Sequence, residues 1–224
     1  MASPNGHVEF RLFIQRPEGR LYYHLAYQVM LGGKPVLDTS YLAVEIHDQE
    51  PLLGENLGLV TSKVSHDAIR YNSLIAEYLQ NGSIGRRISL EVRVWDDGVA
   101  FRYVIPKTTP LAELLIEDEV TEFSFPAGGH GALAEKSALP FIVQQGAAGW
   151  VGIYEAGNGA YPKTELLRTD PGTMVTRLAV PPRIPKVAYE GVTPWAGPWR
   201  VVAVAATREG LAGTRVVREL VKEE

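Results

Sequence analysis

The sequence predicts an all-β protein of mostly antiparallel strands, a sandwich or a barrel with few short helices. Three observations carry that prediction. Apolar and polar residues alternate with a period of two in run after run, the mark of a half-buried strand. Gly, Pro, Asn and Asp separate the runs at short intervals, most clearly at Asp96-Asp97-Gly98. Strand–helix–strand alternation is missing, which argues against a parallel sheet with crossover helices.

Taken in order, Val8, Phe10, Leu12 and Ile14 form one face of a first strand, and Arg16-Pro17-Glu18-Gly19 turns the chain. Leu21, Tyr23, Leu25, Tyr27 and Val29 share the next face, which Gly32-Gly33-Lys34-Pro35 closes as a hairpin. Leu42, Val44 and Ile46 mark a third strand that breaks at Glu50-Pro51, opening a loop to about Asn56. Leu59–Val64 and Ser73–Leu79 follow, and Asn81-Gly82 reads as another hairpin turn. Ile88, Leu90, Val92 and Val94 then alternate with Arg87, Ser89, Glu91 and Arg93. Beyond the turn, Val99, Phe101, Tyr103 and Ile105 alternate with Ala100 and Arg102. Gly98 is expected to supply the positive φ of this turn, since it has no Cβ to clash, and Asp96 and Asp97 are expected to serve turn geometry with no catalytic role. Leu111–Asp118 has some helical character but leads into a strand at Thr121–Phe125. Trp150–Tyr154, Met174–Val180 and Trp199–Ala205 complete the strands, and Arg208–Gly213 reads as one helical turn. Ala127–Pro140 and the proline-rich Pro181–Pro198 are irregular. No repeat or linker divides residues 1–224, so one domain is expected.

Composition narrows the function. The 224 residues carry 22 Lys plus Arg against 26 Asp plus Glu, a net charge of −4 without a basic field, which argues against nucleic acid. The absence of cysteine excludes disulfides, thiolate catalysis and cysteine-based zinc sites. No run of about 18 apolar residues offers a membrane span. The N-terminal residues carry no leader pattern. The compartment stays open: periplasmic or extracellular if a leader was removed, cytoplasmic otherwise.

Candidate chemistry is sparse. The five histidines fall in different segments, without metal-ligand spacing, and read as surface or structural. His47-Asp48 and His66-Asp67 adjoin, but neighbours on a strand face opposite ways. Glu117-Asp118-Glu119 with Glu122 reads as a solvated acidic face rather than a cation site. Gly128-Gly129-His130-Gly131 lacks the ending of a phosphate loop. Thr193–Arg200 has more potential: Trp195 and Trp199 offer flat faces on which a sugar ring stacks, and Arg200 can clamp polar groups. The competing reading is a core tryptophan with Arg200 tied to a loop.

Several segments, in order, resemble the N-terminal domain of glycoside hydrolase family 97, bacterial α-glucosidases and α-galactosidases. They are Ser3-Pro4-Asn5-Gly6; Tyr23–Tyr27 with Gly33-Lys34-Pro35-Val36; Arg70-Tyr71-Asn72; Arg93–Tyr103; Glu119–Phe123; Gly152–Ala156 with Tyr161; and Pro198-Trp199-Arg200. The resemblance implies a β-supersandwich similar to galactose mutarotase. In the full-length enzymes this domain precedes a (β/α)₈ barrel of about 250 residues that carries the general acid and base. In calcium-dependent members it also lends a glutamate to the active-site cation. The matching stretch here is an abbreviated Ala127–Ala138 with Glu135 its only acid, and Ser62–Asp67 replaces a second family stretch. Both departures fall on the side that faces the barrel.

The expected function is therefore a non-catalytic, carbohydrate-associated module that binds carbohydrate or docks a barrel. Trp195, Trp199 and Arg200 are the expected sugar contacts, with Tyr154 and Glu155 next. No catalytic or metal residue is assigned, and calcium enters only with a barrel. One alternative is a fragment, or partner chain, of a family 97 glycosidase. Another is a mutarotase-like enzyme using His130 with Glu155 or Glu135. Lys63, Lys107 and Arg168 can protect the sheet edges, and homodimerisation is the other means.

Overall fold

The computed structural model describes residues 1–19, 21–80, 85–111, 113–128, 131–179 and 186–221. The first half contains β1 (Val8–Gln15), β2 (His24–Leu31), β3 (Lys34–Ile46), β4 (Leu57–Ser65), β5 (Asn72–Gln80), β6 (Arg86–Trp95), β7 (Gly98–Ile105) and β8 (Glu113–Ser124). The second half adds β9 (Lys136–Ala138), β10 (Phe141–Gln144), β11 (Trp150–Ala156), β12 (Thr164–Asp170), β13 (Thr173–Leu178), β14 (Tyr189–Val192), β15 (Trp195–Ala196) and β16 (Trp199–Ala205). A 3₁₀ turn at Glu209–Gly213 leads to the short helix α1 (Arg215–Leu220).

Two antiparallel sheets form a sandwich. One runs β1-β2-β3-β8-β13-β12-β9, with β14 also on β8; the other runs β10-β11-β16-β7-β6-β5-β4, with β15 also on β7. Inward residues chosen by the period of two meet between them. Phe10, Tyr27 and Phe101 cluster at centroid distances of 5.0–5.9 Å. Leu52 and Leu53, from the loop after β3, are fully buried in the same core. A smaller cluster covers the outer face of the second sheet, where Leu211, Val216 and Val217 pack on Trp95, Ala100, Val201 and Ala203.

Most expected strands are present, with boundaries moved by a few residues, and the 3₁₀ turn falls within Arg208–Gly213. Asn81-Gly82 and Val180 lie outside the described residues. The stretches expected to be irregular hold short strands: β9 in Ala127–Pro140, and β14 and β15 in Pro181–Pro198. Three further expectations need correction. From Glu113 onward, Leu111–Asp118 is the first half of β8: Leu114 and Ile116 point inward, and β3 and β14 satisfy its two edges. The segment is a strand rather than a helix, because a short apolar run paired on both edges carries no periodicity that separates the two.

Gly98 is the second. It takes no positive φ. Instead, a Cβ there would lie 2.5 Å from the Val202 carbonyl oxygen and 2.6 Å from Val216 Cγ1. The glycine serves close packing of β7 against β16 and α1 rather than turn geometry. The third concerns the two aspartates, which bind beyond their own turn. Asp96 Oδ1 accepts the Asn5 N–H at 2.9 Å. Asp97 accepts the Arg215 N–H and, at 3.2 Å, the Val216 N–H, capping α1 from across the sheet. One hairpin thus ties both ends of the described chain to the second sheet.

Candidate functional site

Trp199 and Arg200 begin β16, and the pleat sends them to opposite faces. Arg200 points between the sheets and is fully buried. Its Nε and Nη2 donate to the two oxygens of Glu119 at 2.6 and 2.7 Å, a bidentate pair across the sandwich. Its Nη1 donates to Glu155, its register partner on β11. Thr121 Oγ1 donates to Glu119 at 2.9 Å, and the Tyr161 hydroxyl donates at 3.2 Å. Tyr103 adds a 2.7 Å bond to Thr121.

Burial opposes the Arg200 charge, but Glu119, with its charge and its two hydrogen bonds, outweighs burial and raises the pKa above the ordinary arginine value. Burial, then the Glu119 charge, pushes the Tyr103 and Tyr161 hydroxyls well up. Both carboxylates are committed to a guanidinium, which disfavours their use as a general base. The arrangement is a clasp between sheets. Glu119 shares its inward parity with Phe123, and that parity is the signal that it belongs to the core rather than to a solvated acidic face.

Trp199 points outward and is 6% exposed. The guanidiniums of Arg93 and Arg102 each lie 4.5 Å from its ring. Glu91 bridges them at 3.2 and 2.7 Å, and Arg93 also lies 5.1 Å from the Tyr71 ring. Trp195 sits in the main core, 5.6 Å from Tyr161 and 5.9 Å from Tyr189. Tyr154 is buried on the outer face, its ring lying across Gly152, where a Cβ would meet it at 2.5 Å. Of the five expected sugar contacts, the fold brings Arg200 and Glu155 together. The two tryptophans belong to separate buried clusters and share no open platform.

The remaining acids and histidines disperse. Glu117 meets His47 Nδ1 at 2.5 Å, Asp118 meets Arg177 at 3.4 Å, and Glu122 accepts the Tyr41 N–H at 3.0 Å. His47 also approaches Asp48 at 3.4 Å, because both follow the end of β3. Burial raises the Asp118 carboxyl to about 6, against two backbone N–H donors and Arg177. His130 lies outside the described residues. Glu135, its side chain 91% exposed, sits 3.7 Å from Arg168. A single exposed carboxylate in the described part of Ala127–Ala138 does not fit a calcium cradle, which takes about six to eight oxygens.

The fold defines a two-sheet antiparallel sandwich domain with a buried ion pair, Arg200 and Glu119, between its sheets. A family model described as glycosyl-hydrolase 97 N-terminal matches residues 1–134, so the chain belongs to that family. A "Probable retaining alpha-galactosidase" of Streptomyces bingchenggensis (strain BCW-1) is 30% identical over 146 residues, covering 60% of this chain and 19% of that protein. Among solved structures, a family 97 enzyme from Pseudoalteromonas sp. strain K8 in complex with acarbose superposes with a TM-score of 0.73 at 18% identity. That match covers 92% of this chain and 35% of the other. A beta-arabinopyranosidase gives a TM-score of 0.74 at 21% identity, covering 92% and 40%. These two likenesses establish the fold, and the chain spans well under half the length of each relative.

Proposed function

We propose that this chain is the non-catalytic sandwich module of an α-glycosidase and docks a catalytic (β/α)₈ barrel rather than turning over sugar itself. The observation that carries the reading is the apolar edge of the second sheet. β4 is the last strand on its side. Leu59, Val60 and Val64 on it, Ile69 after it and Ile75 on β5 are 55%, 45%, 48%, 76% and 47% exposed. Lys63 is the only charged residue of β4. A free, apolar edge invites pairing with another chain, and a covering partner removes that hazard. The same stretch includes Ser62–Asp67, which the family resemblance turns toward the barrel. The relatives' remaining length accommodates a barrel of about 250 residues. Supply of the barrel on the same chain or on a separate one leaves this surface unchanged.

Light scattering on an equimolar mixture of this chain and a separately purified family 97 barrel tests the reading. A one-to-one complex is expected, lost on Val60→Glu with Ile75→Glu. No complex, or one indifferent to both substitutions, overturns it. A second reading, weak carbohydrate binding, draws support from Tyr154 and Glu155, which border an opening.

A further inference from the structure

β11 outruns its neighbour. The last β10–β11 partners are Phe141 and Ile153, so Tyr154 and Glu155 extend past β10. The space beside them is a half-open notch of about 380 Å³, lined by the Leu139-Pro140 connection, the start of β12 and Val221 after α1. That volume lies at the small end of ligand pockets, roughly 300–1,000 Å³.

The walls divide by chemistry. Leu139, Pro140 and Val221 are apolar, and Tyr154 adds an aromatic flank. Glu155, Lys163 and Thr164 provide a carboxylate, an ammonium and a hydroxyl. Thr164 is 5% exposed, and its hydroxyl has no hydrogen-bond partner among the described residues. A buried hydroxyl left unsatisfied is unfavourable, and a ligand that supplies its partner removes that penalty. Asn158 donates to Glu155, and its own buried Oδ1 also lacks a partner among the described residues.

The local charges balance. Glu155 shares Arg200 with Glu119, Glu165 on the wall pairs with Lys136 at 2.6 Å, and Lys163 offsets the remaining carboxylate. A balanced site with one apolar wall and one hydroxyl-seeking wall suits a neutral ring with an apolar face and hydroxyls at its rim. A charged ligand gains little there.

We propose that this notch binds one neutral pyranose unit, its C–H face on Leu139, Pro140 and Val221 and its hydroxyls toward Thr164, Lys163 and Glu155. The site goes beyond the docking role and is independent of it. β10 and β4 are opposite edges of the second sheet.

The test is a nuclear magnetic resonance titration of the whole chain with D-glucose and D-galactose, with glycerol and D-glucuronate as controls. Saturable amide shifts are expected at residues 138–141, 154–156 and 163–165 for one neutral sugar, with affinity on the order of millimolar. Thr164→Val removes the hydroxyl at nearly constant volume and is expected to weaken binding about fivefold or more, leaving thermal stability equal or higher. Lys163→Ala, at an exposed position, is expected to weaken binding without unfolding the chain and serves if Thr164→Val does not fold. Four outcomes overturn the site: no saturable shift with either sugar, shifts elsewhere, stronger binding of glucuronate or glycerol, or unchanged affinity in the folded variants. Barrel binding by the same variants is expected to stay intact, so failure here is separable from failure of docking.

Discussion

Arg200 on the inner face of the second sheet and Arg93 and Arg102 on its outer face are the same residue type in opposite settings. Arg200 has lost all contact with water and is held by Glu119 and Glu155. Arg93 and Arg102 flank Trp199, share Glu91, and keep side-chain exposures of 26% and 28%. Inside, the charge is tolerable only because its partners are present, so deleting one leaves a buried ion uncompensated. Outside, water replaces what a substitution removes, and each contact is worth little. The inner and outer faces of the second sheet therefore differ in how severely they respond to change.

The largest expected effect follows directly. Glu119→Ala should lower the free energy of unfolding by about 3–5 kcal/mol, read from the urea midpoint. A loss no larger than that of Arg93→Ala would break the contrast. Gly98→Ala should come next, at roughly 1–3 kcal/mol or more, since the new Cβ meets backbone as well as Val216.

Asp118 sharpens the comparison through pH. Its carboxyl is raised by burial to about 6 in the folded chain, from an ordinary aspartate value of 3.8. The folded state therefore holds that proton more tightly than the unfolded state. Its stabilising contribution is full below pH 4 or so and is lost as pH rises through about 6. Asp118→Asn keeps an acceptor for the Glu119 and Leu178 N–H groups. It should flatten stability between about pH 4 and 6 and raise it at pH 7 by about 1–3 kcal/mol. Denaturation at several pH values checks both. An unchanged slope would show that this carboxylate is not protonated in the folded chain.

Smallest of all, Arg93→Ala should cost about 0.5–1 kcal/mol, with a change in Trp199 fluorescence as the ring loses one guanidinium. A larger loss would mean that the outer stack is as essential as the inner clasp.

Much of this architecture was legible because inward and outward residues alternate, as at Val8–Ile14 and Ile88–Ile105. What stayed hidden depends on contacts distant in sequence. α1 is six residues long without a side-chain cap of its own; its cap, Asp97, lies more than a hundred residues earlier. Thr164–Asp170 went unread as a strand because only Thr164 and Leu166 are buried in it. The tryptophans were legible as aromatic anchors, but their burial was decided by neighbours from other strands. Arg200 was singled out in the sequence, whereas Glu119, on another sheet, was concealed in an acidic run. The notch beside Glu155 arises because β10 starts only at Phe141, opposite Ile153, and strand boundaries are weakly encoded.

The most direct measurement of the central claim, a non-catalytic module, is hydrolysis of aryl α-glucosides and α-galactosides by the purified chain alone. No turnover above a buffer blank is expected, with or without calcium. Turnover that co-purifies with the folded chain and disappears in a single-residue variant would contradict it.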